Sequence, residues 1–94
     1  NMVMMRDIKY FESRGRHIII NLVDNQSIQY VGQLKNEIKK LPLNFVEIGK
    51  SYIINLKHMR ECHVSYVVMD DGKELGISRA YRNYFNEKIL EYNS

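Results

Sequence analysis

No tryptophan, one cysteine (Cys62) and one proline (Pro42) occur in the chain, and each shortage narrows what it can be. A lone cysteine rules out an intramolecular disulfide framework and fits a reducing cytoplasm. No apolar run approaches the ~20 residues of a membrane span, and Met2–Met5 is too short for a signal-peptide core, so a cytoplasmic chain without a membrane partner is expected. There is no Gly-rich phosphate loop, since Asp71-Gly72-Lys73 reads as a hairpin turn. A zinc site needs four ligands at loop or helix spacings, which Cys62, His58 and His63 do not supply. Glu61-Cys62-His63 holds an acid, a thiol and a base, but neighbours on a strand point to opposite faces and cannot pair as nucleophile and base. Neither an enzyme nor a cofactor or metal is therefore expected, and Cys62 is read as a small buried hydrophobe.

What remains is 94 residues, 45% of them hydrophobic, with seven tyrosines against three phenylalanines. That suits one small domain over residues 1–94, with a single core and many half-buried sheet positions. The net charge of +3 and a pI near 9.0 permit an anionic partner without requiring one, so the position of the cations must decide. Lys35, Lys39 and Lys40 belong to the polar face of a helix, which carries lysine in any case. Arg14, Arg16, His17, Lys50, Arg79 and Arg82 instead fall at turns and element ends.

Asn1–Asp7 is read as a stub, either a truncated N-terminal strand or a tag remnant. Ile8–Glu12 is a strand with Ile8 and Tyr10 on one face and Lys9 and Phe11 on the other, and Ser13-Arg14-Gly15-Arg16 is a hairpin loop. His17–Val23 returns as a strand covered on both faces near Ile18-Ile19-Ile20, and after Asp24-Asn25 a third antiparallel strand follows over Gln26–Val31. Leu34, Ile38 and Leu41 mark a short amphipathic helix stopped by Pro42 and packed on a sheet. In FVEIGKSYIIN (Phe45–Asn55) two strand-forming segments flank Gly49-Lys50-Ser51. That break is either an ordinary hairpin connection with a solvated lysine or a turn that presents the cation to a partner. An irregular turn over Leu56–Met59 leads to a short strand, Arg60–Cys62. Val64–Met69, the Asp70-Asp71-Gly72 turn and Glu74–Ile77 make a last hairpin, and Tyr81, Tyr84, Phe85, Ile89 and Tyr92 line one face of a terminal helix capped by Ser78. The predicted fold class is mostly β with short α-helices: small antiparallel sheets, one central helix and one C-terminal helix.

The order of YFES and a basic hairpin, the strand pair, QLKNEIKKLP, FVEIGKSYIINLKHM and a DG hairpin running into ISRAYR resembles the LytTR DNA-binding domain family, the output domains of many bacterial response regulators. The resemblance spans about Ile8 to Tyr92, and its specific parts are FVEIGKSYIINLKHM and ISRAYR. It implies sequence-specific binding of double-stranded promoter DNA, with loop side chains inserted into successive major grooves. Repeated sites bound by two protomers, and a receiver domain elsewhere in the full-length protein, follow from the same resemblance. It places the base contacts at His17, Lys50 and Arg79. Arg14, Arg16, Ser51 and Arg82 are then candidates for the DNA backbone. The family commonly has a histidine where this chain has Gly49, and Asn55 matches a family asparagine read here as satisfying loop backbone groups.

Elementary chemistry leaves each of these cations a second reading. Arg79 and Arg82 near a helix start oppose the macrodipole, so a phosphate would be welcome there, or Arg79 could make two hydrogen bonds to a guanine edge. Otherwise Arg79 pairs with Asp70, Asp71 or Glu74. His17 is either a capped edge residue or a base contact. The competing function is a protein-interaction or sensory module on the same fold. RNA binding is weaker still, because stacking aromatics interleaved with cations are not evident.

Overall fold

A computed structural model describes residues 2–94 and arranges eight strands as two antiparallel sheets. The first has five strands in the order β3-β2-β1-β5-β4: β1 (Ile8–Arg14), β2 (His17–Leu22), β3 (Ser27–Val31), β4 (Phe45–Glu47) and β5 (Tyr52–Asn55). The second is β6 (Met59–Cys62), β7 (Tyr66–Met69) and β8 (Glu74–Gly76). Two helices complete the fold, α1 (Leu34–Glu37) and α2 (Arg82–Tyr92). Among the described residues no helix is long and apolar enough to cross a membrane.

The predicted run of three antiparallel strands is present, with Arg14 opposite His17 across the tight turn and Ile20 opposite Ile28. Gly15 takes the left-handed conformation that turn requires (φ 60°), and Asp24 and Asn25 do the same at the next corner (φ 62° and 58°). Phe45–Asn55 is itself a hairpin, closed by Ile48 N–H donating to the Tyr52 carbonyl at 3.2 Å. Its second strand then pairs with β1, Tyr10 facing Ile54, so the hairpin extends the first sheet.

Two apolar clusters cover the two faces of that sheet. Ile8, Phe11, Ile18, Leu22, Phe45 and Ile53 pack with Leu34 of α1, and Ile38 and Leu41 lie against them. On the opposite face Tyr10, Val46, Ile48, Ile54 and Leu56 meet Val67, Met69, Leu75 and Ile77 of the second sheet and Phe85 of α2. Burying each such side chain is worth about 1.5–3 kcal/mol, which makes this second cluster the bond between the sheets.

Several local expectations are corrected. Ile8 and Tyr10 do not share a face, because a bulge between them shifts the β1–β2 register and turns Ile8 and Phe11 to the same side. The central helix is α-helical for four residues only and ends as a 3-10 turn over Ile38–Lys40, tightened ahead of Pro42. Ser78 makes no side-chain capping bond among the described residues; a 3-10 turn, Arg79–Tyr81, separates it from α2. Tyr92, on the last turn, is exposed, as is Cys62, which lies on the edge strand β6 and not in the core. Of the N-terminal stub, Asn1 lies outside the described residues, Met2–Met4 is exposed, and Met5–Asp7 forms a 3-10 turn instead of a strand.

Candidate nucleic-acid interface

Three chain segments that carry the loop cations are fastened to one another by backbone hydrogen bonds. Ser13 N–H, beside the β1–β2 turn, donates to the Ser51 carbonyl at 2.9 Å. Ser78 N–H, just ahead of Arg79, donates to the Ile48 carbonyl at 2.8 Å. Gly32 N–H donates to the Arg16 carbonyl at 3.1 Å, which ties the chain entering α1 to the same turn. Beside the second fastening, a Cβ at Gly49 would lie 2.5 Å from Ser78 Oγ, so a side chain at 49 would have to move the serine hydroxyl.

On this frame Lys50, Ser51 and Arg79 are exposed, as are Arg14 and Arg16. A shallow open groove of about 470 Å³ runs between Ser13 and Gly15 of the hairpin, Gln33 and Lys35 at the start of α1, and Lys50 and Tyr81. Lys50 and the hairpin residues Ser13 and Gly15 therefore line one groove, of which Arg14, Arg16 and Arg79 are not lining residues. Lys35, assigned from sequence to a generic helix face, joins Lys50 in that groove; only the path of the chain from Arg16 to α1 places it there, and no local pattern marks it. Glu47 also lines the groove and accepts a long hydrogen bond from Tyr84 Oη at 3.5 Å. Burial and this carboxylate push the Tyr84 hydroxyl above its ordinary range.

His17 is half-buried and opens β2, which runs between β1 and β3, so it is not an edge residue. Arg14 pairs with Glu12 at 3.0 Å, with most of the arginine side chain in water. Arg82 is less available: it is half-buried, and its Nε donates to the Ile77 carbonyl at 3.4 Å. The aspartates that could have neutralised Arg79 are engaged elsewhere, Asp70 with His58 at 2.6 Å and Asp71 with Lys9 at 2.5 Å. The first turn of α2 reads Arg82-Asn83-Tyr84-Phe85 and holds no acid, but the 3-10 turn ahead of it already takes the Tyr81 and Arg82 N–H groups to the Ser78 and Arg79 carbonyls.

The residues that suggested other chemistry have structural partners. His63 stacks on Tyr66, with ring centroids 4.4 Å apart, and its Nε2 meets Glu61 at 2.8 Å. Partial burial pushes the Cys62 thiol up, away from the thiolate that a nucleophile needs. Asn55 is fully buried and does what the sequence predicts: its Oδ1 accepts from Asn44 Nδ2 at 2.8 Å and from Lys57 N–H at 3.0 Å, while its Nδ2 donates to the Ile8 carbonyl at 2.8 Å.

Residues 1–90 match the family model described as the LytTr DNA-binding domain. Among solved structures, the chain superposes with a TM-score of 0.83 on one from Bacillus cereus whose description is the LytTr DNA-binding domain of a methyl-accepting/DNA response regulator. The two are 22% identical, over 93% of this chain and 84% of that one, a level that shows a shared fold. No curated protein matches.

Proposed function

Because the chain belongs to the LytTr DNA-binding domain family, a family of DNA-binding and not catalytic domains, we propose that it recognises specific double-stranded sequences in transcription regulation. The supporting observation is the fastening of the β1–β2 turn, the Gly49–Ser51 loop and the Ser78–Arg79 segment by the Ser13–Ser51 and Ser78–Ile48 hydrogen bonds. Loops held to one another in this way present cations from backbone that has little entropy left to lose on binding.

In this reading residues 1–94 act as one domain, and His17, Lys50 and Arg79 enter successive major grooves to meet base edges. Arg79 is suited to a guanine, whose two acceptors match its planar fork. Arg14, Arg16 and Ser51 contact phosphates, which positions the domain without reading sequence. Arg82 contributes chiefly as a cation at the start of α2, where the helix dipole also favours a phosphate. Two protomers occupy repeated promoter sites, and a receiver domain in a two-component response regulator controls them in the cytoplasm.

The test is the affinity of the parent and of Arg79→Ala for the protein's own upstream promoter fragment and for random duplex over a salt series. The parent is expected to prefer the promoter, with affinity falling about 0.9 log units per log unit of salt for each phosphate contacted. Arg79→Ala should lose about 1–3 kcal/mol, roughly 5- to 150-fold, on the promoter and much less on random duplex. Equal, weak binding of both proteins to both duplexes would sink the DNA reading in favour of a protein-interaction module on this fold.

A further inference from the structure

Where the Lys50 loop meets the Arg79 segment, the Ser78 hydroxyl makes no capping bond among the described residues. Ser78 Oγ sits 2.5 Å from the point a Cβ at position 49 would occupy, and Ser78 Cβ 3.4 Å from it, so the serine fills the space that a side chain at 49 would otherwise take. The backbone around Ser78 is pinned on three counts. Its N–H donates to the Ile48 carbonyl at 2.8 Å, its carbonyl accepts from Tyr81 N–H at 2.8 Å, and Ile77 N–H donates to the Ser65 carbonyl at 2.8 Å. A serine ahead of a helical turn ordinarily gives its side-chain oxygen to the first free N–H groups. Ser78 does not, among the described residues, and it is exposed.

A donor and acceptor is thus held on rigid backbone, one residue before Arg79 and against the glycine that precedes Lys50. We propose that the Ser78 hydroxyl is a further DNA-contacting group, hydrogen-bonding the duplex from the space that Gly49 leaves open. This rests on the DNA-binding reading above. A serine hydroxyl can donate to a phosphate oxygen or meet a base edge of either kind, and because it is neutral it releases no counterion.

The experiment compares the parent, Ser78→Ala and Arg79→Ala for binding to the promoter fragment and to random duplex over a salt series, together with thermal melting of each protein. Ser78→Ala is expected to bind about three- to tenfold more weakly, the size of one lost hydrogen bond, with the parent's salt slope and melting temperature. A loss of equal size on both duplexes supports the proposal with a phosphate as partner, and a loss confined to the promoter supports it with a base edge. Ser78→Ala binding like the parent, while Arg79→Ala loses its promoter preference, overturns the Ser78 contact and leaves the DNA reading standing. A weakened Ser78→Ala whose melting temperature falls with its affinity also overturns the contact, since the hydroxyl would then be structural. A parent that binds neither duplex removes both.

Discussion

Asn55 divides its buried amide among three neighbours, Asn44, Lys57 N–H and the Ile8 carbonyl, and so joins β5 to the start of β1 and to the turn after β5. Truncating it leaves buried donors and acceptors without partners, each costing about 1–3 kcal/mol. Asn55→Ala is therefore expected to destabilise the fold by about 2–4 kcal/mol in urea titrations, and a midpoint equal to the parent's would show that water replaces the amide. The bond from Lys57 N–H is local and could be read from sequence, whereas those to Asn44 and to the Ile8 carbonyl depend on distant segments. The exposure of Cys62 could not be read so, since it depends on β6 lying at the edge of its sheet, a fact of tertiary arrangement.

Among the elements, the strands and hairpins were largely legible. Period-two alternation and the Asp-Gly, Ser-Arg-Gly-Arg and Asp-Asn turns are local signals, and the structure follows them to within a residue or two. What was not legible depends on contacts across the chain: the pairing of β5 with β1, and the bulge that turns Lys9 out of simple alternation. The cations of the candidate site could be picked out by their place at turns, whereas Lys35 and Ser78 gained theirs only through the path of distant segments. Lys9 is 7% exposed and meets Asp71 of the β7–β8 turn at 2.5 Å, an ion pair between the two sheets. The lysine holds the Asp71 carboxyl below its ordinary range, so this stabilisation is present above pH about 4 and is lost as pH falls through the folded value. Removing one partner of a fully buried pair costs about 3–5 kcal/mol, and with a third of Asp71 in water about 2–3 is expected for Asp71→Ala at neutral pH. Lys9→Met should cost less than Asp71→Ala, since the carboxylate it leaves unpaired is 33% exposed whereas the ammonium that Asp71→Ala strands is 8% exposed. Equal losses for the two variants in chemical denaturation would contradict this.

Across the whole molecule, His58 connects the N-terminal turn to the second sheet: Nδ1 meets Asp70 Oδ2 at 2.6 Å and Nε2 meets the Arg6 carbonyl at 2.5 Å. Both partners only accept, so the geometry calls for a doubly protonated ring. Burial pushes the imidazole down, the Arg6 carbonyl and Asp70 push it up, Lys9 opposes them weakly, and the net shift is upward. A raised value means stability fully present below pH about 6.5 and lost as pH rises through the folded value. His58→Gln should flatten that decline in urea midpoints measured from pH 6 to 8, and a decline unchanged by the substitution would assign it to another group. The proposed contacts also straddle the two sheets. Lys50 belongs to the first, Arg79 follows the second, and Val46, Ile48, Val67, Met69 and Leu75 fill the seam between them. The two cations are thus held by the Ser78–Ile48 hydrogen bond on top of an apolar seam, and in the proposed reading a repacking of that seam would be felt at the duplex through residues that never touch it.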